Sequence, residues 1–148
     1  MLERPFFEVL KEIDEVLNEV NEMKKILCLD FDGVIHSYVH PWDGPTVIPD
    51  PPVEGAFDFI REAMKEFDVQ VFSTRSTMPG GIEAMKAWFL EWDPTPSFRP
   101  LVFDLKFPTE KPPAHVSLDD RCLLFTGAWP ALETLKEFKP WNKQRVVS

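Results

Sequence analysis

Two aspartates one residue apart follow directly on a short apolar run near the start of the chain. The run occupies residues 26–29, and Asp30, Asp32 and Gly33 come next. An apolar run bounded by charge and glycine predicts a buried strand of a parallel sheet. Ligands of open α/β sheets bind just beyond the carboxyl ends of the strands, so both carboxylates are candidate site residues. A solvated acidic turn, for which glycine supplies the backbone freedom, is the alternative.

Further polar groups come at or near the ends of later apolar segments. They are Ser73 with Thr74, Lys111, and Asp119 with Asp120. Carboxylates that converge repel one another, and a pair ~4 Å apart at an effective dielectric of ~20 costs about 4 kcal/mol. Such a cluster needs a cation or partial protonation. Oxygen ligands select a hard metal, and Mg²⁺ held by one or two carboxylates, waters and a phosphate fits best.

The same residue types suit phosphoryl transfer. One carboxylate can attack phosphorus and form an aspartyl-phosphate, which divides a difficult displacement into two easier ones. A second carboxyl group two residues later can protonate the leaving oxygen and then activate water, an effect on the order of 10²–10⁴-fold. A hydroxyl and an ammonium can bind the non-bridging oxygens, where negative charge must be stabilised.

These groups, in this order, resemble the motifs of the haloacid dehalogenase (HAD) superfamily of phosphotransferases. Residues 30–34 resemble the first motif, Asp-x-Asp-Gly-Val, and residues 71–73 resemble the second, a hydrophobic strand that ends in Ser or Thr. Lys111-Pro112, a short way ahead of Asp119-Asp120, resembles the compact arrangement of the third and fourth motifs. The similarity spans about residues 26–125 in the family's order.

The resemblance implies a role for each matching residue. Asp30 is the nucleophile and Asp32 the general acid–base, while Lys111 steadies the charge on the nucleophile and the phosphate. Ser73 binds the phosphoryl group, with Thr74 as the alternative if the strand is one residue longer.

The resemblance also implies a Mg²⁺ site. Its protein ligands are the side chains of Asp30 and Asp120 and the backbone carbonyl of Asp32. Asp119 is expected to pair with Lys111.

Several polar residues keep more than one interpretation. Lys106 competes with Lys111 as the amine, and Arg75 and Arg121 suit either substrate contacts or structural ion pairs. His36, His40 and the aromatic residues of the loop over 34–52 either shape a substrate pocket or hold the loop in place, and the spacing of the two histidines is weak support for a zinc pair.

The activity that the resemblance implies is a magnesium-dependent phosphatase, a hydrolase of small phosphomonoesters that acts through an aspartyl-phosphate. Family members that displace halide lack the second aspartate, so Asp32 favours the phosphatase. The alternative is a phosphate-binding or interaction module that retains the site with little turnover. A receiver domain of response regulators fits less well. It would need a lone phosphoacceptor aspartate at the end of a middle strand, whereas the Asp-Asp pair of this chain comes late in the sequence.

Composition sets limits on partners and compartment. The chain has 148 residues and a net charge of −9, from 16 basic and 25 acidic residues. Long nucleic acids and anionic membranes are disfavoured, because they bind through clustered Lys and Arg. Cys28 and Cys122 are predicted to be core thiols, which fits a reducing compartment. Without a secretory or membrane-spanning segment in the sequence, we expect a soluble, cytoplasmic protein.

Alternating strand and helix patterns predict a Rossmann-like three-layer α/β sandwich with a mostly parallel sheet and no large cap domain. We expect one domain over residues 1–148, with an N-terminal amphipathic helix (1–24), a core (25–139) and a surface tail (140–148). The N-terminal helix is expected to dock on the core; a homodimer seam is the alternative. The predicted strands are 26–29, 68–75, 101–103, 116–118 and 122–125, the helices after the first are 52–67, 82–92 and 129–138, and 34–52 is a proline-rich loop.

Overall fold

A three-stranded parallel sheet organises the protein, whose computed structural model describes residues 5–94 and 99–143, apart from the side chains of residues 20–22. The strands are β1 (Lys25–Leu29), β2 (Phe67–Val71) and β3 (Val116–Leu118), in the order β2-β1-β3. Leu27 of β1 lies opposite Val69 and Val116. β1 is therefore the central strand, and its carboxyl end lies between those of its neighbours.

Four α-helices accompany the sheet in the described part of the chain. They are α1 (Phe6–Met23), α2 (Ala56–Ala63), α3 (Gly81–Trp92) and α4 (Leu132–Lys136). The molecule is thus of the mixed α/β class, as predicted, with a smaller sheet than expected. A left-handed Gly80, at φ 77°, precedes the first residue of α3. The helix predicted over 82–92 is therefore confirmed, and glycine suits the left-handed backbone of the turn that precedes it.

Aromatic side chains of α2, α3 and the turn after β1 fill the core. Phe31 is fully buried and meets Trp88 edge-on, with 5.0 Å between ring centroids, while Phe57 stacks on the same indole at 6.0 Å. Such pairs add ~0.5–1.5 kcal/mol each beyond area burial. The Trp88 indole N–H donates to the Asp50 carbonyl at 2.9 Å. The residue next to Asp30 is therefore fixed by packing, and the proline-rich loop is fastened to α3.

The strand predicted at residues 101–103 is wrong. Leu101–Asp104 forms a 3₁₀ turn, in which the Phe103 N–H donates to the Pro100 carbonyl at 3.1 Å. Leu101 and Val102 are buried, as an apolar run should be. A short apolar run specifies burial but not whether the backbone is extended or helical.

The strand predicted at residues 122–125 is also wrong, because this segment pairs with no strand of the described chain. Leu124 is 90% exposed and Cys122 is an exposed free thiol, so the prediction that Cys122 belongs to the core fails with it. Cys28 is a buried free thiol, as predicted. β3 therefore forms the edge of the sheet on this side.

The N-terminal helix forms as predicted but does not bury its apolar face. Phe6, Leu10, Ile13 and Leu17 are all exposed, so the prediction that they dock on the core is wrong. The Val20 side chain belongs to the predicted face but lies outside the described residues. The homodimer seam stays a prediction. Among the described helices, none combines the length and apolarity required to cross a bilayer.

Candidate active site

Three carboxylates meet at the carboxyl ends of β1 and β3. Oxygens of Asp30, Asp119 and Asp120 all lie within 4.8 Å of one another. Asp30 directly follows β1, and the other two directly follow β3. The Asp30 N–H donates to the Leu118 carbonyl at 3.0 Å and so continues the pairing of the two strands into the site. Because neighbouring parallel strands end at the same edge of the sheet, residues that are far apart in the chain are brought together here.

The cluster is electrostatically strained in the absence of a cation. Burial, with the negative charge of Asp119 as the next cause, raises the pKa of Asp30 to about 8. Burial also raises the pKa of Asp120, which shares a side-chain hydrogen bond with Asp30. The pair therefore keeps a proton to a higher pH than an isolated carboxyl group would. A bound cation would replace that proton, since opposite charge favours ionised carboxylates.

The turn after Asp32 lies directly against the cluster. Gly33 has φ +83°, and a Cβ at this position would overlap the Asp120 carboxylate. The glycine is therefore required both for the left-handed turn and for the close approach. The C-terminal tail secures the same turn, because the Trp141 indole N–H donates to the Gly33 carbonyl at 2.7 Å. Pro140 is buried, whereas residues 144–148 of the predicted surface tail lie outside the described chain.

The Asp32 carboxylate faces a different set of partners. It accepts a hydrogen bond from the Arg75 guanidinium at 2.9 Å and lies 2.8 Å from Nδ1 of His36. The Asp50 N–H donates to His36 Nε2 at 3.1 Å. The ring proton therefore sits on Nδ1, from which it is donated to Asp32. Both partners fix the orientation of this carboxylate, and the Asp32 side chain is not part of the three-carboxylate cluster.

Arg75 connects Asp32 to the proline-rich loop. It is 1% exposed, and its guanidinium lies 4.6 Å from the ring centroid of Trp42. One of its nitrogens donates to three loop carbonyls, those of Gly44 (3.1 Å), Pro45 (2.9 Å) and Val47 (3.0 Å). The sequence allows either a substrate contact or a structural ion pair for Arg75, and in the structure Arg75 forms a buried ion pair with Asp32.

The two histidines hold the loop. His36 lies between Asp32 and Asp50, as described above, and the ring and N–H of His40 both bind the Asp50 carboxylate. Although burial opposes the change, these hydrogen bonds lower the pKa of Asp50. Each histidine therefore has a carboxylate partner, and the structure gives the weak zinc-pair interpretation no support.

The two candidate hydroxyls lie just after β2, which ends at Val71 and not at residue 75 as predicted. Ser73 is 3% exposed, and its oxygen accepts the Arg75 N–H at 3.2 Å. The Ser73 N–H donates to Ser76 Oγ at 3.0 Å, which completes a capping box for the 3₁₀ turn Thr74–Thr77. Ser73 is thus rigidly placed, and its hydroxyl hydrogen remains available to a ligand. Thr74 is exposed.

A cavity of about 370 Å³ brings most of the predicted site residues together. Its lining comprises Asp30, Asp32, Tyr38, Trp42, Ser73, Thr74, Met78, Asp120 and Arg121. Aromatic residues of the loop were one predicted source of a pocket, but nothing in the sequence singled out Met78. A larger cavity of about 950 Å³ within residues 121–138 is lined mainly by apolar side chains. The smaller one holds the convergent polar groups and is the candidate active site.

Lys111 is not among the residues that line this cavity. It is exposed, and its charge partly opposes the burial that raises the pKa of the Cys28 and Cys122 thiols. The ion pair expected between Lys111 and Asp119 is absent from the described structure; Asp119 instead accepts the Arg121 N–H at 2.8 Å.

The competing amine, Lys106, is bound elsewhere. Its ammonium pairs with Asp68 at 3.0 Å, and its backbone bonds to the free edge of β2. This ion pair leaves Lys111 as the better candidate of the two. Arg121 is the cationic side chain that lines the cavity itself.

Comparisons of the chain with protein-family models, with curated proteins and with solved structures find no match. The fold and site therefore define the protein at the level of class: a mixed α/β protein with a carboxylate-rich cavity at the carboxyl ends of a parallel sheet.

Proposed function

We propose that the protein is a magnesium-dependent phosphomonoesterase of the capless HAD type, which forms an aspartyl-phosphate on Asp30. The observation that carries the proposal is the meeting of carboxylate oxygens of Asp30, Asp119 and Asp120 within 4.8 Å of one another, at a cavity that Asp30, Asp120 and Ser73 line together. The four HAD-like motifs had been selected from the sequence alone. Three of them supply residues to this one cavity.

The cluster suits Mg²⁺. Its donors are carboxylate oxygens, the ligand type that Mg²⁺ prefers. Burial, followed by the negative charge of Asp119, raises the pKa of Asp30, so the ionised cluster would gain from a compensating positive charge. Asp30 and Asp120 are the proposed side-chain ligands, and Asp119 is a further candidate that the cluster adds. The bound ion would neutralise charge on the carboxylates and on a phosphate. The Asp32 carbonyl keeps its proposed role as a ligand.

The proposed reaction has two displacements. The cycle starts with Asp30 ionised and Asp32 protonated. In the first displacement, a carboxylate oxygen of Asp30 attacks phosphorus, the bond to the leaving oxygen breaks, and the protonated Asp32 donates its proton to that oxygen. In the second, water attacks the phosphorus and gives its proton to Asp32, while the bond from phosphorus to Asp30 breaks. Inorganic phosphate leaves, and both aspartates return to their starting states.

Other side chains would hold the phosphoryl group. The Ser73 hydroxyl, fixed by the capping box, donates to a non-bridging oxygen, and Thr74 lies beside it. Arg121 supplies positive charge from the cavity wall. Lys111 keeps its proposed role in steadying charge, because it forms no ion pair with a described residue that would hold it elsewhere.

A second candidate is a phosphate-binding module with little turnover. The observation that favours it is the set of hydrogen bonds from Arg75 and His36 to Asp32. Turning a carboxylate away from these hydrogen-bond donors costs free energy. The hydrogen bonds therefore disfavour proton transfer from Asp32 to a leaving oxygen that its carboxyl group does not already face.

Phosphate release from an aryl phosphate separates these candidates. We expect turnover that requires Mg²⁺, falls to background in excess EDTA, and returns when Mg²⁺ is restored, because the carboxylate cluster needs a divalent cation. Activity that is indifferent to EDTA would contradict the metal site. Binding of inorganic phosphate without phosphate release would favour the module.

A further inference from the structure

Part of the cavity wall is aromatic. Tyr38 and Trp42, both from the proline-rich loop, line the same cavity as Asp30 and Ser73. Trp42 remains 40% exposed although the buried Arg75 guanidinium lies over its ring. Because Arg75 is itself inaccessible, the exposed part of the indole is the part turned away from it.

Arg75 places this indole beside the group that protonates the leaving oxygen. One guanidinium bonds to Asp32 at 2.9 Å and lies 4.6 Å from the Trp42 ring centroid. The same guanidinium donates to the loop carbonyls of Gly44, Pro45 and Val47, which fixes the backbone that follows Trp42 in the chain. A leaving oxygen held at Asp32 would have its substituent next to Trp42.

The backbone conformation and the ring position of Tyr38 are also fixed by its surroundings. Among the residues that the structure describes, Tyr38 is the one residue other than glycine with a positive φ, which is 55°. Its ring meets the buried His36 ring edge-on, with 5.9 Å between centroids. Non-glycine residues in this region persist where surrounding contacts over-determine them, as they do at ligand sites.

We propose that the preferred substrates are aryl phosphomonoesters, in which the aromatic ring is bonded directly to the leaving oxygen. This inference rests on the proposed function. The ring stacks on Trp42, with Tyr38 as the second wall. A planar guest suits this surface, because aromatic rings gain from offset stacking in addition to burial. The cavity of about 370 Å³ has room for more than a phosphate ion.

Phosphonates test the ring separately from the chemistry. Phenylphosphonate and cyclohexylphosphonate carry rings of similar bulk on a P–C bond that is not hydrolysed, so leaving-group reactivity does not enter. Binding of each is measured by titration calorimetry to the full chain in Mg²⁺. We expect phenylphosphonate to bind roughly 2- to 10-fold more tightly than cyclohexylphosphonate, as stacking predicts.

Trp42→Leu is expected to remove this preference, and Tyr38→Leu to reduce it. Trp92→Leu is the matched control, since Trp92 is 39% exposed but does not line the cavity, and it should retain the preference. Equal or tighter binding of cyclohexylphosphonate to the wild type, binding of neither, or an unchanged preference in Trp42→Leu would each overturn the inference. A wild-type protein that prefers phenylphosphonate but releases no phosphate from aryl phosphates would instead contradict the proposed function alone.

Discussion

Replacement of Asp30 by asparagine is expected to reduce magnesium-dependent phosphate release by at least about 10³-fold. The two side chains have nearly the same shape, so the packing around the buried Phe31 is preserved. The amide, however, cannot attack phosphorus to form the acyl phosphate. It also removes a negative charge from the proposed Mg²⁺ site. The measurement is the initial rate of phosphate release from phenyl phosphate in saturating Mg²⁺.

Asp58→Asn is the matched control for this prediction. Asp58 lies exposed in the first turn of α2, outside the cavity lining, so the same chemical change should leave the rate nearly unchanged. A rate for Asp30→Asn equal to that of the wild type would show that Asp30 is not the nucleophile. Loss of activity in both variants would show that the assay reports folding and not chemistry.

The same substitution is expected to stabilise the metal-free protein at alkaline pH. The pKa of Asp30 is about 8 in the folded protein, compared with an ordinary value of 3.8. Between these two values, the folded protein holds a proton that the unfolded chain has released. The free energy of unfolding therefore falls as pH rises through this window, by up to about 1.4 kcal/mol per pH unit. The contribution is fully present below the lower value and is lost above the upper one.

Urea unfolding in EDTA at several pH values between about 5 and 9 measures this effect. We expect a gain for Asp30→Asn over the wild type that grows with pH to on the order of a few kcal/mol. The comparison between variants cancels the titrating groups that do not interact with Asp30, whereas Asp119 and Asp120 belong to the same cluster and their response is part of the measured gain. Saturating Mg²⁺ should remove the gain, because the ion stabilises the ionised wild-type cluster. Parallel pH profiles for the two proteins in EDTA would contradict the burial and charge repulsion assigned to Asp30.

The central part of the site was predictable because local pattern and sheet geometry agree. The apolar run before Asp30 defines β1, and the run before Asp119 defines β3. Parallel strands that are neighbours end at the same edge, so the carboxylates after them converge without any further information. Gly33 was predictable as a turn residue, but its contact with Asp120 was not, since that depends on the relation between two strands.

The partners of Asp32 could not be read from spacing. Arg75 lies on the far side of a long loop and a helix from Asp32, and only the folded loop brings the two together. The sequence left substrate contact and ion pair equally open for Arg75. His36 is similar, because its tautomer depends on an N–H donated by Asp50 from the other end of the loop.

The two wrongly predicted strands and the unburied face of α1 have one physical cause. Apolar character at residues 101–103 and 122–125 marks candidates for burial, but the conformation depends on what each segment meets. At Leu101–Asp104 a 3₁₀ turn achieves the burial that a strand was expected to provide. Residues 122–125 and the apolar face of α1 remain exposed in the described chain, so patterning alone overstated the size of the core.

Trapping the covalent intermediate is the most direct test of the proposed mechanism. An acid quench during turnover, followed by borohydride, reduces an aspartyl-phosphate to homoserine, and mass spectrometry locates the modified residue. We expect the modification at Asp30 in the presence of Mg²⁺ and its absence in EDTA. Modification of Asp32, Asp119 or Asp120 instead, or none at any aspartate during steady phosphate release, would contradict the mechanism.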